Sequence, residues 1–308
     1  MEPFKSILVD VDATASAHPA LERAVLLARS LGATLTVADV VTVHPHAWHN
    51  LPPAIEEDMV RERRQQLVRV ANTVSGLRAE PRLLIGRPAT VLIQEVLRSH
   101  HDLLMRSHAR ELVASGPKPF GDVDMELLRK CPCPVLLARH GNPATDLQIV
   151  AAVDASTKET DEQALNEKII ELSLLVASHL EARPPRLLQV WAPLAERVIR
   201  SHSGDDQFAS YVDGARQRAA TDLARLARSF EGLAEAQSNL RRGEAEDVIP
   251  EFVVAEGIDL LVMGTAARSG IAGMLIGNTA ERILRRLPCS VLTVKPDGFV
   301  SPVELDVS

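Results

Sequence analysis

The sequence has few cysteines, no long hydrophobic run and no excess of basic residues. Three cysteines among 308 residues are too few for a disulfide framework. No segment approaches the roughly 20 consecutive apolar residues of a membrane span. We expect no signal peptide, because no apolar segment follows a basic one at the N-terminus. The net charge of −7 offers no attraction for nucleic acid or an anionic membrane. We therefore expect a cytoplasmic protein that binds neither.

Motifs of the common catalytic centres are missing as well. The sequence contains no G-x-S-x-G, no H-E-x-x-H and no G-x-x-x-x-G-K-[ST]. These patterns hold a serine nucleophile, a zinc ion with its base, and the phosphates of a nucleotide. We therefore expect no enzyme and assign no catalytic residue. Any hydrolysis of ATP would be slow and incidental.

What the sequence does have is a regular alternation of short apolar runs and helical patterns. The predicted strands are Ser6–Val11, Thr34–Val41, Pro81–Ile85, Asp102–Met105, Pro134–Ala138, Ile149–Val153, Arg186–Val190, Ile258–Met263 and Ser290–Val294. The predicted helices are Pro19–Leu31, 53–75, Ala89–Arg98, Asp122–Lys130, Leu165–Leu180, Ala209–Ser229 and Ala280–Leu287. Short apolar runs that alternate with helices predict a parallel sheet in an α/β fold.

Three blocks of the first half recur in the second half at a nearly constant spacing. Gly86 recurs as Gly243, and the segment 102–105 recurs at 259–263, both 157 residues later. The segment 131–136 recurs 156 residues later, with its Pro-Cys pair and the following Val-Leu retained. The sequence therefore predicts two copies of one unit of ordinary domain size.

A linker is predicted between the two copies. The segment His140–Asp146 reads HGNPATD, and its Gly, Asn, Pro and Thr residues lie between two predicted strands. This position divides the chain into domains 1–142 and 143–308.

The stretch 258–295 of the second copy has the composition of a phosphate site. A strand leads into a loop of small residues with Gly270 and Gly273, and a helix and a second strand follow. This order places backbone N–H groups and a helix N-terminus beside the carboxyl end of a parallel strand. An anionic ligand is therefore predicted there.

Three features of the repeated unit stand out: the first strand of each copy ends in Val-Asp, the last strand follows a Pro-Cys pair, and the fourth strand of the second copy runs through Met263-Gly264 into the glycine loop. In these features the unit resembles the universal stress protein domain. The whole chain is similar to the tandem, E-type members of that family. The segments that carry this wider similarity are ALNEK at 164–168, GNTAE at 277–281 and SPVELD at 301–306.

The resemblance implies the fold. It implies an α/β protein of two tandem universal-stress-protein-like domains, each a five-stranded parallel sheet with helices on both faces. This fold is related to the adenine nucleotide alpha hydrolase-like proteins. The resemblance also implies a role in stress response, in a family that contains both nucleotide binders and members that bind none.

The resemblance further implies a nucleotide site in the C-terminal domain. Binding members carry Gly, two residues, Gly, nine residues, and Gly followed by Ser or Thr. Gly264 and Gly277 keep the outer positions, whereas Ala267 replaces the second glycine and Asn278 replaces the hydroxyl, with Thr279 next. The implied ligand is ATP, with Mg²⁺, or another phosphate-bearing molecule.

A ligand is not needed to explain the start of this helix. Asn278 can serve as the N-cap residue, with Glu281 at N3, as in a capping box. Capping does not explain why a glycine loop precedes the helix at the spacing of the family. Both interpretations of Asn278 therefore remain open.

Three further residues complete the implied site. In the binders that the unit resembles, Asp154 would accept a hydrogen bond from the adenine or the ribose; its alternative role is to cap the turn through Ser156 or Thr157. Val190 and Met263 would line the adenine pocket, and for both the alternative is ordinary core packing.

The N-terminal domain lacks the glycine loop, and we predict no ATP there. No glycine follows Met105 directly, and Gly121 is followed by Asp122, whose carboxylate would repel a phosphate. A different anion site, built from Arg106, Ser107, His108 and Arg110, is one interpretation of this segment. A mobile surface loop is the other.

Two clusters bear on metal and redox chemistry. Zinc could bind His44, His46 and His49, but a solvated loop explains them better, since Pro45 kinks the segment and no cysteine is near. For Cys131 and Cys133, reduced and partly buried thiols are the expected state. We therefore predict no metal site.

Two functional hypotheses follow. In the first, the protein is a stress-response regulator whose C-terminal domain binds ATP or another phosphorylated small molecule. In the second, it is a stress-response scaffold that binds protein partners and no nucleotide. In the second, the strands 134–138 and 290–294 pair the two halves about a pseudo-twofold axis. A homodimer is possible in either case.

Overall fold

The computed structural model describes residues 4–42, 53–108, 111–113, 116–139, 146–233, 237–265 and 276–305. The strands in this part of the chain are β1 Ser6–Asp10, β2 Thr34–Val41, β3 Ala79–Ile85, β4 Leu103–His108, β5 Glu111–Val113, β6 Gly116–Lys118, β7 Val135–Arg139, β8 Ile149–Ala152, β9 Arg186–Trp191, β10 Ser238–Arg242, β11 Leu260–Gly264 and β12 Ser290–Val294. The helices are α1 Pro19–Leu31, α2 Pro53–Asn72, α3 Pro88–Ser99, α4 Asp122–Lys130, α5 Thr160–His179, α6 Glu196–His202, α7 Asp205–Arg228, α8 Ala245–Ala255 and α9 Asn278–Leu284.

Most predicted elements are present, and their ends follow local chemistry. Helix α1 has the predicted bounds, because Pro19 fits its first turn and Gly32 follows it at φ 68°, a left-handed conformation that favours glycine. Helix α5 begins five residues before the predicted Leu165, since its first turn is polar and carries Asp161 and Glu162. An acidic first turn stabilises a helix N-terminus but gives no apolar periodicity to detect.

Ten of the strands form one sheet. Its order is β10-β9-β8-β11-β12-β7-β4-β1-β2-β3, and β5 pairs with β6 in a separate hairpin. Every neighbouring pair in the large sheet is parallel except β12 and β7. Each half thus contributes five parallel strands, as predicted, and the two sets meet at one antiparallel junction.

Helices cover both faces of this sheet. Along β1, Ile7 and Val9 belong to the core layer under α1, α2, α5 and α7, whereas Leu8 belongs to the layer under α3, α4, α8 and α9. This alternation reflects the opposite directions of successive side chains in a strand. Strands buried on both faces are apolar throughout, which is why they were visible in the sequence.

The junction between the halves is the predicted strand pair. Val291, Leu292 and Thr293 of β12 lie opposite Leu137, Leu136 and Val135 of β7. Two edges that would otherwise expose unpaired backbone groups are thereby closed. The expectation that the chain forms this pair internally is confirmed.

The predicted linker lies largely outside the described residues, at 140–145, so the domain boundary stays a prediction. The expected surface loop after Met105 is wrong for its first part. Strand β4 continues through Arg106 and Ser107 to His108, paired with β7, and a short hairpin follows it. In the described part of the chain, no helix has the length and apolar character to cross a membrane.

Candidate functional site

A cavity of about 900 Å³ opens at the carboxyl ends of three strands in the C-terminal half. Strand β8 has β9 on one side and β11 on the other, so the chain order reverses there. In open α/β sheets, ligands bind at such a reversal, outside the carboxyl ends of the strands. The end of β8, the end of β9, the end of β11 and the start of α9 all line the cavity.

The cavity brings together seven of the eight predicted site residues. They are Asp154, Val190, Met263, Gly264, Gly277, Asn278 and Thr279. The eighth, Ala267, lies outside the described residues. Residues that are more than a hundred positions apart in sequence therefore meet at one place.

Asp154 is held in position through its own backbone. Its N–H donates to Asn166 Oδ1 at 3.0 Å, and Asn166 Nδ2 donates to the Asp154 carbonyl at 2.8 Å. The carboxylate also accepts from the backbone N–H of Ser156 at 3.3 Å, which is the turn-capping contact that was the alternative interpretation. Asp154 also lines the cavity, so the capping contact is compatible with the ligand role, which stays a prediction. Asn166 lies in the ALNEK segment, and no signal in the sequence indicated that its amide holds the backbone of Asp154.

Gly264 has a packing role that the sequence did not reveal. A Cβ at this position would lie 2.8 Å from Cδ2 of Leu165 and 3.4 Å from Cδ1 of Ile169, both on α5. The glycine therefore lets α5 approach the end of β11 closely. Because Leu165 and Ile169 also line the cavity, this close approach shapes its wall.

The capping interpretation of Asn278 is wrong. The N-cap residue of α9 is Gly277, and Asn278 is the first helical residue. The helix begins one residue earlier than a capping Asn278 requires, because the Gly277 carbonyl already accepts from Glu281 N–H at 2.9 Å. Glu281 instead forms ion pairs with Arg129 at 2.6 Å and Arg285 at 2.7 Å. The side chains of Asn278 and Thr279 are exposed along the cavity.

Apolar and charged side chains both line the cavity. Met263 is buried and Val190 is half-buried, and together with Ile249 and Ile283 they give the cavity apolar sides. The charged lining residues besides Asp154 are Lys158, Arg218, Glu162, Asp222, Glu244 and Glu246. The lining also includes an aromatic pair that the sequence patterns did not single out. That pair is Trp191 and Tyr211, and the Tyr211 hydroxyl donates to the Leu194 carbonyl at 2.6 Å.

Backbone hydrogen bonds align the two halves residue by residue. Val11 N–H donates to the Ala38 carbonyl as Val153 N–H donates to the Leu188 carbonyl. Counting along the paired strands from these points, Asp10 corresponds to Ala152, and Arg106 to Met263. The helices after the fourth strands both start at a glycine, so Asp124 corresponds to Ala280.

A buried ion-pair cluster occupies this place in the N-terminal half. The guanidinium of Arg106 pairs with Asp10 through Nη1, and its Nε lies 2.9 Å from Asp124 Oδ1. Ser107 Oγ accepts from the backbone N–H of Ala20 at 2.9 Å. Of the side chains proposed for a different anion site, those of Arg106 and Ser107 thus have internal partners, whereas Arg110 and the side chain of His108 lie outside the described residues. The paired side chain of Arg106 stands where the C-terminal half has Met263, which lines the cavity.

A second group of ion pairs, centred on Arg63, fills the other side of the corresponding place in the N-terminal half. Arg63 on α2 pairs with Asp39 through Nε, and its Nη2 lies 2.9 Å from Asp12 Oδ1. Leu67 and Ala71 are buried on α2 as Leu223 and Ala227 are on α7, which aligns Arg63 with Ala219. Asp39 aligns with Gln189, which follows Leu188. The C-terminal half therefore has small or neutral residues in place of these charges, except at Asp12, whose counterpart is Asp154.

The Arg106 cluster in the N-terminal half has two carboxylates, Asp10 and Asp124, and only one guanidinium. Burial raises the pKa of Asp10 to about 6, and the neighbouring Arg106 only partly opposes this effect. An isolated buried carboxylate is costly to ionise. A surplus of carboxylate at this place disfavours an anionic ligand, and the absence of ATP from the N-terminal half stays a prediction.

The thiols are buried and free. Cys131 and Cys133 have their Sγ atoms 3.5 Å apart, and Cys289 lies in the second half. The contact with Cys131 and burial raise the pKa of the Cys133 thiol, and burial raises that of Cys289 to about 12. Such thiols are poor nucleophiles and poor metal ligands. His44, His46 and His49 lie outside the described residues. Among the residues that the structure describes, there is no cluster of three metal-ligating side chains.

Comparison with known proteins identifies the family. A model described as the universal stress protein family matches residues 3–139 and 147–295. Universal stress protein E of Photorhabdus laumondii is 27% identical over 99% of both chains. A structure of a functionally unknown protein from Pseudomonas aeruginosa PAO1 has a TM-score of 0.70 and 25% identity, covering 96% of this chain and 94% of that one. A universal stress protein described as a complex with cAMP aligns with 44% of this chain and 98% of its own, at 21% identity and a TM-score of 0.33.

Proposed function

Since the chain belongs to the universal stress protein family as a tandem-domain member, we propose that it is a stress-response regulator whose C-terminal half binds an adenine nucleotide or another phosphate-bearing ligand. One observation carries the proposal. Seven implied site residues line one cavity in the C-terminal half, and two ion-pair groups fill the corresponding place in the N-terminal half.

The lining of the cavity supports a nucleotide. A volume of about 900 Å³ falls in the range of small-molecule sites, which runs to roughly 1,000 Å³. Val190, Met263 and Ile249 offer apolar contacts for a planar base, and the carboxylate of Asp154 accepts hydrogen bonds from ligand N–H or O–H groups. The phosphates would lie near Asn278 and Thr279, where backbone N–H groups begin α9.

The strength of phosphate binding depends mainly on these side chains. Helix α9 has only seven residues, so its dipole adds little to the attraction of an anion. The exposed amide of Asn278 is able to donate to a phosphate oxygen, as is the hydroxyl of Thr279. With ATP, a bound Mg²⁺ would offset part of the ligand's charge.

The same proposal holds that the protein is not an enzyme. Its relatives are named as stress proteins, and we assign no catalytic residue. Hydrolysis of bound ATP, if measured, would be slow and incidental. A binding protein of this kind would act in the cytoplasm by presenting a liganded and an unliganded surface to partner proteins.

Isothermal titration of the folded full-length protein with ATP, with and without Mg²⁺, tests the proposal. The informative variant is Asn278→Asp, which copies Asp122 at the same position of α4 and is exposed, so that folding should be kept. A carboxylate beside the phosphates should lower ATP affinity about tenfold, or about 1.4 kcal/mol, and leave adenosine binding unchanged. The matched control, Asp122→Asn, should leave both affinities unchanged.

Absence of heat from the wild-type protein at millimolar ATP would overturn nucleotide binding. The nucleotide-independent scaffold would then be favoured, and Ala267 would be its best sequence feature, since a methyl group stands where phosphate approaches the backbone in binding members. Gain of ATP affinity in Ala267→Gly would support that conclusion.

A further inference from the structure

Gln189 and Ser156, beside the cavity, are joined by a hydrogen bond that their counterparts in the N-terminal half do not share. Gln189, which is 1% exposed, donates from Nε2 to the Oγ of Ser156 at 2.7 Å. Its Oε1 is buried and has no hydrogen-bond partner among the described residues. In the first half the corresponding Asp39 is paired with Arg63. Burial of the Gln189 amide therefore costs folding free energy, because its buried oxygen lacks the hydrogen-bond partner that buried polar atoms normally have.

Ser156 is exposed and lines the cavity two residues after Asp154. Its counterpart Thr14 follows Asp12 by two residues, and the Thr14 hydroxyl donates back to Asp12 Oδ1 at 2.6 Å. Ser156 makes no such bond. Its Oγ accepts from Gln189 instead, and a hydroxyl that accepts one hydrogen bond still carries one hydrogen to donate. Within the described residues no acceptor takes that hydrogen, so it is available to the cavity.

The order of the strands indicates which part of a nucleotide lies beside Ser156. The apolar wall at Val190 and Trp191 ends β9, and the proposed phosphate contacts begin α9 after β11. The turn that holds Asp154 and Ser156 follows β8, which lies between β9 and β11. A ribose likewise lies between base and phosphate.

We propose that Ser156 donates a hydrogen bond to a ribose hydroxyl of the bound nucleotide, and that Gln189 is the positioning residue that holds Ser156 for this contact. The inference rests on the proposed function of the same cavity. With Asp154 as acceptor and Ser156 as donor, the turn after β8 matches the two neighbouring hydroxyls of a ribose, each of which both donates and accepts. The turn thereby distinguishes ribonucleotides from deoxynucleotides.

Titrations with ATP, 2′-deoxy-ATP and 3′-deoxy-ATP test the contact. Ser156→Ala should weaken ATP binding about fivefold to tenfold, the size of one hydrogen bond. It should leave unchanged the affinity for whichever deoxynucleotide lacks the contacted hydroxyl. The matched control Thr14→Ala, at the corresponding turn of the N-terminal half, should leave all three affinities unchanged.

The role of Gln189 is tested by Gln189→Leu and by the double variant with Ser156→Ala. If Gln189 acts through Ser156, the leucine variant loses affinity for ATP, and the double variant loses no more than Ser156→Ala alone. Thermal stability should not fall in Gln189→Leu, because leucine removes a buried atom without a partner. Additive losses of affinity would overturn the positioning role.

The outcomes distinguish failure of nucleotide binding from failure of the ribose contact alone. No binding of ATP by the wild-type protein overturns the proposed function and this inference with it. Binding of ATP that Ser156→Ala leaves unchanged overturns the inference alone. An equal loss for ATP and both deoxynucleotides shows that Ser156 contacts another part of the ligand, and it also overturns the ribose contact.

Discussion

The two halves differ most in the single residues at the carboxyl ends of their strands. Where Ala152, Met263 and Ala280 leave a cavity, Asp10, Arg106 and Asp124 form a buried ion-pair cluster. Burying charges is costly even when they are paired, since the attraction repays only part of the lost hydration. This cost has a measurable consequence in the pH dependence of stability.

Asp10 should make the protein less stable as pH rises from about 4 to about 6. Its folded-state pKa is raised from 3.8 to about 6, so the folded state binds the proton more tightly than the unfolded state in that range. The stabilising contribution is complete below about pH 4 and is lost by the time pH exceeds 6. Asp10→Asn does not titrate, so its unfolding free energy should rise relative to wild type by about 2–3 kcal/mol between pH 4 and 7, at about 1.4 kcal/mol per pKa unit.

Urea unfolding at several pH values measures this difference, and Asp12→Asn is the control. Although partial burial opposes the effect, hydrogen bonds from Thr14 and the nearby Arg63 lower the pKa of Asp12. The contribution of Asp12 is therefore lost as pH falls, and the control should deviate from wild type in the opposite sense and at lower pH. Parallel stability curves for wild type and Asp10→Asn would contradict the assignment.

Among the secondary-structure elements, β12 and β7 form the junction of the two halves, each parallel to one neighbour and antiparallel to the other. Ser290 at the start of β12 is fully buried and accepts two hydrogen bonds from the other half. The donors are Arg23 Nη1 at 3.1 Å and the backbone N–H of Arg139 at 3.0 Å. One hydroxyl thus links α1, β7 and β12.

Ser290→Ala should destabilise the protein by about 1–3 kcal/mol, because Arg23 and the backbone N–H of Arg139 both lose the Ser290 hydroxyl as their acceptor. Ser173→Ala is the matched control. Ser173 is equally buried, but its hydroxyl donates within α5 to the Ile170 carbonyl at 2.7 Å. Its replacement should cost at most about 1 kcal/mol. Equal unfolding free energies of the two variants in urea would show that the junction does not depend on Ser290.

At the scale of the whole molecule, the halves share a sheet, two core layers and several crossing contacts. Lys295, directly after β12, is buried and donates to the carbonyls of Leu128 at 2.7 Å and Arg129 at 3.1 Å, at the end of α4. Burial lowers its pKa to about 8. Gln94 on α3 donates to the Glu304 carbonyl at 3.0 Å, so the C-terminal segment reaches the first half.

The halves, prepared separately as 1–142 and 143–308, should therefore associate when mixed. Each would otherwise expose an unpaired edge, β7 or β12, which favours pairing with another strand. Size-exclusion chromatography with light scattering should show a one-to-one complex, weakened by Ser290→Ala in the second half. If the mixed halves stay separate as monomers, the junction contributes less than its contacts suggest.

Fold and site were predictable from the sequence to different degrees. Nine strands were predicted, most of them because strands buried on both faces are continuous apolar runs, and the repeat and the glycine loop pointed to the right end of the sheet. The edge strand β10, with Asn239, Arg241 and Arg242, has no such run and was missed. Seven of eight implied residues line the cavity, but the ligand stays a prediction.

Local pattern in the chain was enough for the α/β architecture and the tandem repeat, because periodicity and turn residues are properties of neighbouring residues and the repeat is a recurrence of such local segments. The family followed from the resemblance of its motifs. Local pattern was not enough to show that Arg106 lies between Asp10 and Asp124, or that Gln189 holds Ser156. Those contacts join strands and helices far apart in sequence. The glycine loop drew attention because one half kept it, but packing across the sheet decides which half has room for a ligand.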